Sequence, residues 1–510
     1  PTAEANTNNA PTPNAEVTPT PTPRESLTKN KFCKGIKHGR KYICSNETND
    51  PETINKATEL LTEATNRILK WRAWDPWWVE EVMDEWLITR DRLEVQLRGK
   101  YGEEVINDIL RLVDRFVEYS EALWKYWHET GNDVEKLIED LMSGKAVVII
   151  RGEGGVSVHE ERIMLKVDKT STGITVQLKL NDLEGVTIKV PDVFRRTMSE
   201  EEYERFINDV LKALRGGLEE TDGFVDRSKV AMDTMQVWQA VVWALLYPGR
   251  ARVRISAINV NDGDVTIAWR LRTSRESLKG KILNIADKLS DEGLLAFMFT
   301  AILGDGCVRI AKDGRGNDEA VIKIAISDEE FEGWEPLLWR LWDRFRWHKY
   351  PGNAVDNVVF YSGYAIDLAR AMISVLPPIL KDILDALSFE KWLNIKRISE
   401  MEVKWRRGEM QIEVAGYKFT VDVQQDDTVV LEHRAKDDTE VDGVISALRA
   451  RYGDGFAVNI RKSGRYRVVA IPMYIFERYD DIKERVIQVL CKKLEKTKDE
   501  EKKQIITKHL

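Results

Sequence analysis

The spacing of apolar residues changes period several times along this chain, and each change predicts a change of element. Over residues 52–143 the spacing is helical. Ala57, Leu60, Leu61, Ala64, Ile68 and Leu69 recur every three to four residues, as do Ile106, Ile109, Leu110, Leu112, Val113, Phe116 and Val117. From residue 145 the period falls toward two, and segments 146–150, 163–167, 175–180 and 186–190 read as strands. A helix is expected from Glu200 to Leu214, ended by Gly216-Gly217, and another from Val230 to Tyr247, stopped by Pro248-Gly249.

A hairpin follows, with arms 252–259 and 265–272 around Asn261-Asp262-Gly263-Asp264. Arg252 and Arg254 alternate with Val253 and Ile255, and Arg270 and Arg272 with Trp269 and Leu271. Both apolar sets are odd-numbered, so facing one core requires paired residues of equal parity. A two-residue Asp-Gly loop breaks that parity. The pattern therefore predicts a three-residue loop, or a bulge near Ile258-Asn259. It also predicts a solvent face of four arginines with no facing acid, suited to DNA phosphates. An ordinary sheet face laced with salt bridges is the alternative.

Residues 294–303 are apolar and end in Gly304-Asp305-Gly306. Ala296, Thr300 and Gly304 recur every fourth residue, so on a helix they form a stripe of small side chains that lets a second helix approach closely. Asp305 stands at the foot of that stripe, where a carboxylate suits a divalent metal. Strands follow at 307–312 and 321–326, then a helix capped by Ser327-Asp328-Glu329-Glu330. Two short strands near 348–350 and 358–361, a helix over 365–375 and an amphipathic segment over 379–395 complete the unit. Residues 402–510 alternate strands and helices as one more small α/β unit.

Composition adds the boundaries. The chain has 510 residues, 43% hydrophobic and 32% charged, with a net charge of −8. Residues 1–28 are mostly Pro, Thr, Asn and Ala, as in a disordered tail. A basic segment (Lys29, Lys31, Lys34, Lys37, Arg40, Lys41) and a tryptophan-rich helical domain occupy 29–143. An α/β domain with the basic hairpin spans 144–291, the unit around Asp305 spans 292–399, and the last domain spans 400–510. Lys391, Lys396, Arg397, Lys404, Arg406 and Arg407 form a second basic patch at that boundary.

Four cysteines are no disulfide framework in a chain of this size. Cys33 and Cys44 flank His38, an incomplete zinc set. A cytoplasmic setting without a membrane partner is expected. The many Glu and Lys fit a thermophile-like surface. The tryptophans between 71 and 127 fit a core or an interface, with a base-stacking platform as the alternative.

The fold class expected is α+β: a helical N-terminal region, then αββαββα units with antiparallel sheets. In that order of elements, and in Met298 to Gly306, the chain resembles the LAGLIDADG homing endonucleases over residues 292–395. Thr300 and Gly304 take the small packing positions of the motif, and Asp305 its metal-binding acid. The resemblance implies double-stranded DNA as partner, Mg²⁺ or another divalent metal as cofactor, and metal-dependent phosphodiester hydrolysis. It implies Lys381 as the active-site lysine, and Arg309 and Lys323 as DNA contacts beside the hairpin arginines. Phe299, Thr300 and Ala325 depart from the family pattern.

A second acid is needed. Asp454 is excluded, because Arg449 occupies its packing position. The segment Ala240–Leu245 has small residues four apart, so 229–273 is expected to be a degenerate half with Leu245 where the acid belongs, pairing with 292–395. A homodimer through the 294–304 helix is the alternative. One acid implies nicking, or binding without cleavage. In whole-chain character the chain also looks like archaeal paralogous-repeat (PaRep-type) proteins linked to mobile elements. A catalytically inactive DNA-binding protein and a structural or interaction scaffold are the other function classes.

Overall fold

The computed structural model describes residues 23–510 except 39–40, 153, 313–317, 343, 353–354, 404–409, 425–427, 464–465 and 498–499. Most of the 1–28 tail, Arg40, the glycine-rich turn after residue 312, and Lys404, Arg406 and Arg407 lie outside the described residues. The chain divides into two compact units, residues 1–306 with 372–393, and residues 307–371 with 394–510. The fold is α+β, with an N-terminal helical region and predominantly antiparallel sheets. Among the described residues no single helix is long and apolar enough to cross a membrane.

In the first unit, three long helices (Pro51–Trp71, Trp77–Leu97 and Glu103–Ser143) pack beside an eleven-stranded sheet. Asp50 caps the first of them by accepting a hydrogen bond from the Thr53 amide. Trp78, Trp86 and Trp127 are fully buried. Trp86 stacks on Phe116 at 4.3 Å and meets Trp269 of the hairpin edge-on at 5.8 Å. Trp86 and Phe116 therefore pack the hairpin's apolar face at Trp269, while Trp71, Trp74, Trp77 and Trp124 are only half-buried.

The hairpin strands are Gly249–Val260 and Val265–Glu276. Val253 pairs with Leu271 and Ile255 with Trp269, equal in parity as the pattern demands. Toward the tip the register shifts between Ile255 and Ala257, so a bulge at Ser256 permits a tight Asp262-Gly263 turn. The parity conflict is thus solved by a bulge, two residues earlier than expected.

Strands outside the hairpin widen the sheet. Gly173–Leu180 pairs with the hairpin at Leu178–Ile258, and Ile163–Thr170, Gly155–His159 and Val147–Arg151 continue outward. Lys31–His38 joins Val147–Arg151 in parallel, and Lys41–Glu47 closes that edge. Cys33 and Cys44 form a disulfide across those last two strands, with Cα atoms 5.4 Å apart, so neither is available as a zinc ligand.

Two stretches of chain repeat one order of elements. Val210–Thr221, Gly223–Asp226, Lys229–Thr234, Val237–Leu246 and the hairpin run helix, two strands, helix, two strands. Asp291–Asp305, Gly306–Lys312, Asp318–Ser327, Asp328–Trp342, Trp347–Tyr350 and Val355–Tyr361 run the same way. In both sheets the strands of a repeat lie in the order first, second, fourth, third.

In the second unit that four-stranded sheet aligns Lys323 with Val359 and Ala325 with Asn357. A separate five-stranded sheet, residues 411–472, is backed by helices Asp438–Tyr452 and Asp480–Lys496 over a core that includes Phe419, Val421, Leu431, Val444 and Leu490.

Candidate metal centre between two central helices

The site lies where helices Val210–Thr221 and Asp291–Asp305 pack against each other. The sequence pattern places the end of a helix at Leu214, but the helix breaks at Asp209 and a new one runs through Gly216-Gly217 to Thr221. The two glycines are there because neighbours leave no room for a side chain. A Cβ at Gly216 would stand 2.6 Å from Ile282 Cγ1, and one at Gly217 would overlap the Phe297 carbonyl and Thr300 Oγ1. Gly304 faces Thr221 and Asp222 in the same way, 2.7 Å from Asp222 Oδ2 for an added Cβ.

The two helices carry one pattern. Ala213, Gly217 and Thr221 precede Asp222 at the spacings at which Ala296, Thr300 and Gly304 precede Asp305. Ala296 and Thr300 are buried, and Thr300 Oγ1 is absorbed by the Ala296 and Phe297 carbonyls at 3.3 Å. The helix that pairs with 291–305 is therefore 210–221. The segment around Ala240–Leu245 belongs to Val237–Leu246, the helix between the two strand pairs of its repeat. Leu245 is not in the position of an acid, and the idea of a half lacking its carboxylate is withdrawn. The small-residue stripe is covered by the chain itself, which removes the reason to expect a homodimer through it.

Asp222 and Asp305 end the paired helices. Asp305 is exposed and Asp222 half-buried. Burial pushes the Asp222 carboxyl up to about 6, and the charge of Asp305 adds to the rise. Lys391, a hydrogen bond from Gln239 and Lys279 act in the opposite direction. Gln239 donates its Nε2 to Asp222 Oδ2 at 2.6 Å, and its own carbonyl accepts from Thr234 Oγ1 at 2.5 Å, which fixes the amide orientation.

A lysine stands at the foot of each helix. Lys279 Nζ donates to the Gly223 carbonyl at 2.7 Å, one residue past Asp222. Lys391 Nζ donates to the Leu303 carbonyl at 2.8 Å and to the Gly304 carbonyl, one residue before Asp305. Lys381 is half-buried on helix Pro378–Leu387, ten residues before Lys391. The Lys279 loop is tied down by buried Glu219, which accepts from Tyr247 Oη at 2.6 Å, Ser277 Oγ at 2.8 Å and the Leu278 amide at 2.5 Å. Glu220 accepts from the Gly280 amide at 2.6 Å.

Two carboxylates repelling each other at one place suit a hard divalent cation, which Mg²⁺ sites complete with water and phosphate oxygens. Among the described residues no cluster of three or more His, Cys, Asp or Glu forms. The side chains thus offer two carboxylates and leave the remaining positions to other oxygens.

The hairpin arginines pair directly, Arg252 with Arg272 and Arg254 with Arg270. They do have facing acids, contrary to expectation. Asp233 binds Arg270 through both oxygens, and Asp226 lies 3.4 Å from Arg272. In the second unit Arg309 is exposed on Gly306–Lys312 and Lys323 half-buried on the next strand.

Sequence reading missed Asp222, Lys279, Gln239 and Lys391 as one group. The signal for Asp222 is present in the repeated spacing of Ala213, Gly217 and Thr221, but Arg215, Glu219 and Glu220 interrupt the apolar run that marks such a helix.

No protein-family model matches the chain, and no curated protein does. Among solved structures it is similar to the I-SmaMI LAGLIDADG homing endonuclease bound to cleaved DNA. The identity is 12% over 40% of this chain and 92% of that one, with a TM-score of 0.12. It is similar also to the meganuclease I-SmaMI bound to uncleaveable DNA with a TTGT central four, at 13% identity over 40% and 94%, with a TM-score of 0.12. At that TM-score the likeness bears no weight, and the functional reading stands on Asp222, Asp305 and the side chains around them.

Proposed function

We propose that this chain binds double-stranded DNA and cuts it by metal-dependent phosphodiester hydrolysis, as a homing-endonuclease-like protein with both half-sites internal. The observation that supports this reading is the pair Asp222 and Asp305, delivered to one place by two helices of matching spacing, with the charge of Asp305 helping burial to raise the Asp222 carboxyl.

In this reading Asp222 and Asp305 hold the cation, as Mg²⁺. A bound divalent ion would activate water and stabilise the leaving oxygen. Gln239 keeps the Asp222 carboxylate turned to one orientation through its Nε2. Lys279 and Lys391 place positive charge beside each acid, where the attacked phosphate and its leaving oxygen gather negative charge. Lys381 stands on the preceding helix as a further phosphate contact. Arg252, Arg254, Arg270 and Arg272 contact the duplex backbone by charge rather than base identity, and Arg309 and Lys323 of the second unit are further backbone contacts.

The test is plasmid cleavage with Mg²⁺ or Mn²⁺. Wild type is expected to linearise supercoiled plasmid, with Asp222→Asn and Asp305→Asn each losing that activity while still binding duplex. Metal-independent products, or no cleavage by wild type, would remove the nuclease reading. Retained duplex binding with no cleavage would leave a DNA-binding protein on the same scaffold.

A further inference from the structure

The αββαββ repeat accounts for the hairpin and the strands 223–234 beside it. It does not account for the strands that extend the same sheet from Gly173–Leu180 outward. Those added strands carry cations on the face that the hairpin arginines share. Leu165, Val167, Val176 and Leu178 are buried, so Lys166 and Lys179 point the opposite way, as Arg254 and Arg270 do beside buried Val253, Trp269 and Leu271. Register brings them into one field. Lys166 lies opposite Gln177, Lys179 opposite Met164, and Leu178 opposite Ile258 of the hairpin.

Arg151, Lys166, Lys179, Arg254 and Arg270 line a single cleft of about 340 Å³ with Ser256 and Tyr42. Asp168 lies 2.7 Å from both Arg151 and Lys166, and Asp233 binds Arg270. Five cations thus share one cleft in a chain whose net charge is −8. The crowding is felt within the cleft. Burial first, then Lys166, with Arg270 and Arg254, pushes the Lys179 ammonium down to about 8 against the opposing pull of Asp233. Lys179 is nonetheless positioned, donating to the Ser256 carbonyl at the bulge at 2.9 Å. The Nε of Arg151 is buried without a hydrogen-bond partner among the described residues.

We propose that these added strands prolong the DNA-contact face, and that the cleft of Arg151, Lys166, Lys179, Arg254 and Arg270 seats a backbone phosphate of duplex DNA. The proposal rests on the DNA-binding reading above. Continuity with the hairpin selects DNA over a small free anion. From strand Gly249–Val260 to strand Ile163–Thr170 is two strand spacings, about 10 Å. That is about three base pairs of additional duplex along the face.

The experiment is the salt dependence of binding to a mixed-sequence duplex in metal-free buffer, with hydroxyl-radical footprints of the same complexes. Lys166→Ala/Lys179→Ala is expected to flatten the slope of log K against log salt by about 1 to 2, and to shorten protection at one end by about three base pairs. Lys166→Arg/Lys179→Arg, which keeps the charge, is expected to retain the wild-type slope. Arg252→Ala/Arg272→Ala, outside the cleft, reports on the hairpin alone. If that pair flattens the slope while the lysine pair leaves slope and footprint unchanged, the extension is wrong and the DNA-binding reading stands. If wild type does not bind duplex, both fall.

Discussion

Gly217 lies against the main-chain carbonyl of Phe297, so closely that a single added carbon at 217 would overlap it. Backbone cannot step aside as a flexible side-chain end can. Gly217→Ala should therefore part the two central helices and cost about 2 kcal/mol or more. Gly263→Ala, where nothing lies within 4 Å, should change stability by less than about 0.5 kcal/mol. Chemical denaturation of both variants checks the contrast, and equal effects would sink the close-packing account.

Asp222 makes stability depend on pH in a stated direction. Its folded pKa, raised to about 6, means that the folded chain holds a proton the unfolded chain has released. Stability from this group thus falls as pH rises from the ordinary carboxylate range to about 6, and the cost is constant above that. Asp222→Asn should raise the melting temperature at pH 7.5 and not at pH 3.5. The ceiling is about 3 kcal/mol, reduced by the partial exposure of the group. Mg²⁺ should stabilise wild type more than the variant. A variant no more stable than wild type at pH 7.5 would refute the cost of burying this carboxylate beside Asp305.

Glu219 is the buried anchor of the loop that carries Lys279. Glu219→Ala would leave the Tyr247 hydroxyl, the Ser277 hydroxyl and the Leu278 amide without their acceptor. The expected loss is about 3 kcal/mol or more. Faster hydrogen exchange at the Leu278 and Lys279 amides should accompany it. Exchange unchanged at those amides would show that the loop is held by something else.

Trp86 joins the N-terminal helices to the hairpin through Phe116 and Trp269. Trp86→Ala should cost about 3–5 kcal/mol, and near-ultraviolet circular dichroism should lose intensity from the coupled rings. Duplex binding should weaken with it, because the arginine face depends on that core. Wild-type binding by a folded Trp86→Ala would separate the two.

Much of this was legible in the residues. Alternation of Arg252, Arg254, Arg270 and Arg272 with apolar partners gave the hairpin and demanded an irregularity, because parity is a local property of a strand. The stripe Ala296, Thr300 and Gly304 gave one close-packed helix for the same reason. The mate of that helix was not legible. Gly216-Gly217 looks the same in sequence whether it ends a helix or lets another helix in. Only Phe297 and Thr300, some eighty residues away, decide between the two. Charged Arg215, Glu219 and Glu220 hid the repeat, since a buried Glu is recognisable only when Tyr247, Ser277 and Leu278 are seen to satisfy it.

The sequence by itself determined the periodic elements, the small-residue stripe with Asp305 at its foot, and the basic hairpin. Each rests on spacings within one segment. Tertiary structure decided that Asp222 stands by Asp305, that Lys279 and Lys391 flank them, that Asp226 and Asp233 answer Arg272 and Arg270, and that added strands bring Lys166 and Lys179 beside the hairpin arginines. All of these depend on residues far apart in the chain. Their meeting is set by which helices can approach closely enough to bury their apolar sides, and no local pattern records that.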